Sequence, residues 1–137
     1  RYPIFDRTIE KNGLKETANR LGKGIIAFSP LAQGLLTDRY LHGIPEDSRI
    51  RTDGRFLKES TLTEEKLEQI RALNAIAAAR GQTLAEMALA WILKDGQVTS
   101  VLIGASRPEQ ILDDLKALDN TAFTPDELRA IDAASGF

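Results

Sequence analysis

The chain has 137 residues, 28% of them charged, and a formal net charge of −2. That length supports one domain with a real core, and the charge balance leaves no footprint for nucleic acid. The absence of cysteine excludes disulfides and cysteine metal sites and fits a reducing, cytoplasmic setting, and no apolar run approaches the ~20 residues of a membrane span.

The opening Arg1-Tyr2-Pro3-Ile4-Phe5-Asp6-Arg7-Thr8 lacks a basic end followed by an apolar block, so it does not read as a signal peptide. It also lacks an initiator methionine and begins like a strand already under way, so the expected start lies upstream. Residues 2–5 read as the tail of a strand. Leu14, Ala18 and Leu21 recur at helical spacing, with Gly22 as the natural stop. Residues 24–28 form a short apolar run bounded by glycine and Ser29-Pro30, which predicts a buried strand.

From residue 33 to residue 62 the periodicity fades. A connection this long in a compact domain is a functional loop or a disordered one. Periodicity returns with Leu67, Ile70, Leu73 and Ala77, capped by Thr61 or Thr63 and ended by Gly81. Thr83-Leu84-Ala85-Glu86 has the form of a capping box, followed by an apolar face of Leu84, Ala88, Trp91 and Ile92. Trp91 reads as core. Residues 98–103 predict another strand. Ser106-Arg107-Pro108-Glu109 and Thr124-Pro125-Asp126-Glu127 are two more capping boxes. The first leads to Ile111, Leu115 and Leu118, the second to Leu128 and Ile131.

Strands alternating with helices predict an α/β fold with a parallel sheet and right-handed crossovers. Three strands alone would leave two long edges unpaired and one face poorly covered. The chain therefore reads as a piece of something larger rather than as a small complete domain.

In parallel α/β folds, ligands sit beyond the carboxyl ends of the strands. Two such ends stand out. Gly104 and Ala105 let a ligand approach the backbone, Ser106 opens a helix whose end favours an anion, and Arg107 adds a cation with a planar fork. An ordinary strand-to-helix turn with a good cap would look the same. After Phe28, the stretch Ser29-Pro30-Leu31-Ala32-Gln33-Gly34 stays bare of charge. An aromatic at a strand end can stack on a heteroaromatic ring, or it can simply be core. Taken together as neighbours in one sheet, the two ends carry more than either alone. His42, the only histidine, has no second metal ligand or nucleophile nearby in the sequence and reads as surface.

Three ordered stretches carry a resemblance: FSPLAQGLLTDRY, GIPEDSR and SVLIGASRPEQI. They resemble the C-terminal half of an aldo-keto reductase, in the branch of the potassium-channel β-subunits and the L-glyceraldehyde 3-phosphate reductases. The resemblance covers nearly the whole chain. It implies a (β/α)8 TIM barrel that binds NADP(H) in an extended pose, with this chain supplying about strands six to eight and their helices. Residues 1–137 would be the C-terminal portion of one barrel domain, with a cofactor-covering loop at about 33–62.

Position by position, the resemblance implies that Phe28 stacks on the nicotinamide. Ser29, Pro30, Leu31, Gln33 and Gly34 would line the ribose and pyrophosphate. Arg39 and Arg49 match basic positions of the covering loop. Gly104, Ser106 and Arg107 match the adenosine-phosphate turn, and Gln110, Asp113 and Asp114 face the adenine end. Asp114 stands where the family usually has asparagine, and a carboxylate cannot donate as an amide does. A salt bridge to a nearby arginine is the other expectation for it.

The family's catalytic aspartate, tyrosine, lysine and histidine lie in the first half of the barrel. Neither Tyr2 nor Tyr40 matches the catalytic tyrosine, so the chain by itself is expected to be inactive. The implied activity of the complete reductase is NADPH-dependent reduction of small aldehydes and ketones, such as methylglyoxal or glyceraldehyde 3-phosphate. The implied partners are the N-terminal half of the barrel, a small carbonyl substrate and, as a further expectation, a second copy of the chain. A channel-associated cofactor-binding subunit and a non-catalytic dinucleotide module are the other readings.

Overall fold

The computed structural model describes residues 1–44 and 59–137. In chain order the elements are α1 (Thr8–Lys11), α2 (Leu14–Arg20), β1 (Ile26–Ala27), α3 (Glu64–Ala79), α4 (Leu84–Leu93), β2 (Ser100–Val101), α5 (Pro108–Leu115) and α6 (Pro125–Ser135). Single 3-10 turns occur at Ala32–Gly34, Asp38–Tyr40, Glu59–Thr61 and Lys116–Asp119.

Local signals account for most helix boundaries. Gly22 adopts a left-handed φ of 65° after α2, and Lys23 N–H donates to the Ala18 carbonyl at 2.8 Å. That bond across the helix end satisfies a carbonyl that would otherwise be orphaned. Thr63, not Thr61, caps α3, its Oγ1 accepting from Lys66 N–H at 3.1 Å. Thr83 and Glu86 complete the expected capping box of α4, and Thr124 and Glu127 that of α6. The box expected at Ser106 and Glu109 is corrected by one residue. Arg107 is the N-cap of α5, in extended conformation, with Pro108 in the first turn. Proline lacks an N–H and disfavours helical geometry in the residue before it, so the helix cannot open earlier.

β1 and β2 pair in parallel, with Ile26 opposite Ser100 and Ala27 opposite Val101. Leu102 N–H donates to the Ala27 carbonyl at 2.8 Å, and Thr99 N–H to that of Ile25 at 2.9 Å. A Cβ on Gly24 would lie 3.0 Å from Thr99 Oγ1, so the missing side chain allows the strands to close. The expected third strand at residues 2–5 does not form. Tyr2, Pro3 and Ile4 are buried, but Asp6 N–H bends back to the Pro3 carbonyl at 2.9 Å. Pro3 has no donor for a ladder, and among the described residues no strand lies beside it. The sheet there is two-stranded.

The expected burial of residues 24–28 also needs correction. Ala27 faces the core at 3% exposure, whereas Ile26 on the opposite face is 64% exposed. Alternate residues share a face, so Phe28 and the register neighbour Leu102 lie exposed with Ile26. Helix α5 behaves likewise. Ile111, Leu115 and Leu118 follow the expected spacing but are exposed. The described residues contain nothing to cover them.

The core centres on α4, where Leu84, Met87, Ala88, Trp91 and Ile92 pack with Ile70 and Leu73 of α3 and Ile131 of α6. Arg80 ties α3 to the segment leading into α6. Its side chain is 2% exposed and meets Glu127 at 2.6 Å, the Ala122 carbonyl at 2.9 Å and the Phe123 ring at 3.7 Å. A second charged cluster surrounds Tyr2. Tyr2 Oη donates to Glu10 and accepts from Lys15 at 3.2 Å and Lys94 at 3.3 Å. Burial, then the Glu10 hydrogen bond, pushes the Tyr2 phenol far above its ordinary range. Burial and the neighbouring Lys15 ammonium push Lys94 down to about 8.

Two outcomes are expected. Arg80→Ala leaves Glu127 without its cation and should cost about 3 kcal/mol in denaturant unfolding. Lys94 has a lowered folded pKa, so the unfolded chain holds more protons between about pH 8 and about pH 10, and stability should rise with pH there. Above about pH 10 the raised Tyr2 pKa reverses the sign, because the unfolded chain releases the phenolic proton first. Thermal unfolding across this range should show the rise, and Lys94→Met should abolish it.

Candidate functional site

Parallel pairing sets the carboxyl ends of β1 and β2 side by side. Phe28 continues β1 and Leu102 continues β2, so the turns that follow emerge from the same edge of the sheet.

The turn after β1 has unusual backbone geometry. Ser29, Ala32 and Gln33 take positive φ values of 54°, 47° and 61°, and they are the only non-glycine residues among those described to do so. Each such conformation costs about 1–2 kcal/mol in an L-residue. Gly34 follows at a φ of 95°. Burial of Pro30, Leu35 and Leu36 holds the turn from below. Thr37 Oγ1 donates to the Gly34 carbonyl at 2.6 Å, and Gly34 N–H to that of Leu31 at 2.9 Å. Strain of this kind clusters where backbone must be presented in one arrangement. Phe28, at 49% exposure, stands at the start of the turn rather than in the core.

The turn after β2 is open. Gly104, Ala105, Ser106 and Arg107 are exposed, and a Cβ on Gly104 would meet nothing within 4 Å. Among the described residues Arg107 makes no ion pair and no side-chain hydrogen bond. Gln110 folds back from the first turn of α5. Its Oε1 accepts from Ser106 N–H at 2.8 Å, Ser106 Oγ at 3.2 Å and Arg107 N–H at 3.2 Å. The amides expected to receive an anion are thus already bonded within the chain. Asp113 pairs with Lys116 at 2.8 Å on the surface. Asp114 is half-buried and has no ion pair, so the expected arginine partner is absent among the described residues. Burial, then Asp113 and Glu86, raises its carboxyl above the usual range.

Arg39 is exposed in the 3-10 turn Asp38–Tyr40, with its backbone N–H held by Thr37 Oγ1 at 3.2 Å. Arg49 lies outside the described residues, as does most of GIPEDSR. His42 is exposed as expected, and the described residues contain no group of three His, Cys, Asp or Glu side chains that could hold a metal. Tyr2 and Tyr40 are each 1% exposed, so neither phenol is presented at the strand ends. Tyr40 instead packs beneath the first turn, its ring 3.5 Å from where a Gly34 Cβ would lie. Sequence reasoning missed Thr37 and the left-handed Ala32. A threonine three residues after Gly34 is a weak turn signal, and nothing marks an alanine for positive φ.

The Aldo/keto reductase family model matches residues 1–135. The chain is 52% identical over 134 residues to the L-glyceraldehyde 3-phosphate reductases of Escherichia coli O157:H7 and of Escherichia coli K12. These alignments cover 96% of this chain and 39% of each relative. A Schizosaccharomyces pombe protein named for a voltage-gated potassium channel β subunit is 40% identical over 120 residues, covering 85% of this chain and 35% of that protein. Among solved structures, a glycerol dehydrogenase from Gluconobacter oxydans superposes with a TM-score of 0.76 at 27% identity, over 97% of this chain and 40% of the other. The chain thus spans well under half the length of the curated relatives it matches. It is a member of the aldo/keto reductase family.

Proposed function

We propose that this chain supplies most of the cofactor site of an NADP(H)-dependent reductase that converts small aldehydes and ketones to alcohols. The observation that carries this reading is the pairing of the two turns: strained, bare backbone after β1 lies beside an open turn with an unpaired arginine after β2. In this reading the chain is the C-terminal portion of one (β/α)8 barrel domain, about strands six to eight. The exposed face of Ile26, Phe28 and Leu102 and the bare side of α5 meet the rest of the barrel, in the same or a separate chain. A cytoplasmic location belongs to the same reading.

The donor set fits a dinucleotide. Exposed Phe28 offers a flat ring for the nicotinamide to stack on. The backbone of Ser29, Pro30, Leu31, Gln33 and Gly34 passes the ribose and pyrophosphate without bulk. Arg39, and Arg49 outside the described residues, are the basic contacts proposed for the covering loop. When bound, the cofactor supplies a hydride. Arg107 holds the phosphate that distinguishes NADPH from NADH through its side chain, rather than through the amides that Gln110 occupies, and the Ser106 hydroxyl joins it on leaving Gln110 Oε1. Gly104 lets the adenosine end approach, while Gln110, Asp113 and Asp114 border the adenine. Asp114, whose carboxyl burial raises above the usual carboxylate range, is placed to accept from an amino group there rather than to donate.

The proton has no source in this turn pair, because the Tyr2 phenol is buried and its proton is committed to Glu10. The remainder of the barrel provides it. Resemblance to the named channel β subunit favours a second reading, in which the site binds cofactor for association with another protein rather than for turnover.

In the complete protein, Arg107→Ala should weaken NADPH binding about ten-fold and leave NADH nearly unchanged, measured by fluorescence titration. Equal loss of both would remove Arg107 from the phosphate site. Aldehyde-dependent NADPH oxidation, with methylglyoxal or glyceraldehyde 3-phosphate, should be undetectable for the 137-residue chain alone and present for the complete barrel. Turnover by the chain alone would overturn the division of labour. A complete barrel that binds NADPH tightly without turnover would support the channel-associated reading.

A further inference from the structure

We propose that Thr37 is a positioning residue that makes the strained turn after β1 and the segment carrying Arg39 present one preformed surface to the cofactor. This rests on the reading of that turn and of Arg39 as pyrophosphate contacts. Thr37 follows the buried pair Leu35 and Leu36 and precedes the 3-10 turn Asp38–Tyr40, in extended conformation at φ −133° and ψ 173°. Its hydroxyl bonds in both directions along the chain. Oγ1 donates to the Gly34 carbonyl at 2.6 Å and accepts from the Arg39 N–H at 3.2 Å. A hydroxyl can donate and accept at once, which no apolar side chain of the same shape can do.

The bond to Gly34 fixes the end of the turn. Gly34 lies at a φ of 95°, and its N–H already donates to the Leu31 carbonyl at 2.9 Å. With Thr37 on its carbonyl, both backbone polar groups of Gly34 are held, so the peptide planes on either side of it are fixed. Ala32 and Gln33 just before it hold left-handed φ values of 47° and 61°, which persist only where neighbours over-determine them. The bond to Arg39 fixes the start of the next segment. Tyr40 is 1% exposed, and its ring lies 3.5 Å from where a Gly34 Cβ would be. Exposed Arg39 stands between these two anchors, the Thr37 hydroxyl before it and the Tyr40 ring after it. Its backbone is therefore set relative to the Gly34 peptide.

The consequence is coupling. Turn and arginine meet the cofactor as a unit, without the ordering of a loose segment that binding would otherwise cost. Removing the hydroxyl leaves both partners in the chain but breaks the tie between them. Pyrophosphate is common to NADPH and NADH, so the loss falls on both alike, unlike the loss expected at Arg107.

The test is fluorescence titration of the complete protein with NADPH and NADH, together with steady-state kinetics. Thr37→Val keeps the branched shape and loses both bonds. It should weaken both cofactors about ten-fold, raising the KM for NADPH and leaving kcat nearly unchanged. Thr37→Ser keeps both bonds and should bind within about two-fold of the unsubstituted protein. Arg39→Ala should also weaken both cofactors about ten-fold, and combining it with Thr37→Val should cost little more than either change alone, because the two act through one contact. Should the valine variant fail to fold, Thr37→Ala makes the same comparison. Cofactor binding unchanged by loss of the hydroxyl, a serine variant as weak as the valine one, or a double variant showing the full product of the two losses would each overturn the proposal while leaving the cofactor site standing. Absence of NADPH binding by the unsubstituted protein would overturn the cofactor reading and the proposal with it.

Discussion

Helix α4 is buried on almost every side, and the arrangement of the chain follows from that. Eight of its ten residues, Leu84 and Glu86 through Ile92, are shielded from solvent, so it must be covered by several distant segments at once. Trp91 shows how this is done. Tyr2 packs on its ring at 5.0 Å between centroids, and the cations of Arg7 and Lys94 lie over it at 4.8 Å and 3.7 Å. Arg7 also covers the Phe137 ring at 4.4 Å and bonds to Asp132 and Ser135. The first and last residues of the chain therefore close over the same helix, and buried charges are tolerated there because each faces a ring or an opposite partner.

That closure leaves one side of the structure covered and the other bare. The two strands contribute Ala27 to the core and turn Ile26, Phe28 and Leu102 outward. The same residues that break the usual rule for burial border the turns proposed to hold the cofactor. A surface of this kind, on a chain spanning 39% of its curated relatives, is the one that the proposed remainder of the barrel would cover. The left-handed residues after β1 fit the same view, since backbone strain persists only where packing beneath it over-determines the conformation. Pro30, Leu35, Leu36 and the Tyr40 ring supply that packing.

Helix starts and stops were largely legible in the sequence because they depend on local chemistry. Thr83 with Glu86, Thr124 with Glu127, and Gly22 act within a few residues of themselves, so their effect does not depend on distant parts of the chain. The exception at Ser106 is also local: Pro108 outranks the serine and delays the helix by one residue. Strands were less legible. An apolar run at residues 2–5 satisfies the pattern for a strand, but a strand exists only where a partner presents its backbone, and Pro3 withholds a donor. The resemblance carried by FSPLAQGLLTDRY and SVLIGASRPEQI led to the family now shown by the match over residues 1–135. Of the proposed cofactor residues, the sequence alone identified types and order, while their exposure and pairing came from the folded chain.

The amino-acid sequence by itself determined the α/β class, the helix caps, the family and the location of the two strand-end turns, because periodicity, capping and motif order are short-range properties. Tertiary structure decided the rest. It decided that Gln110 folds onto the amides of Ser106 and Arg107, that Asp114 stands without a cation, and that Lys15 and Lys94 converge on one phenol. These depend on distances between groups far apart in sequence or on competition among donors. Packing across Tyr2 and Trp91 brings the two lysines together, and the loss of water there lowers the pKa of Lys94.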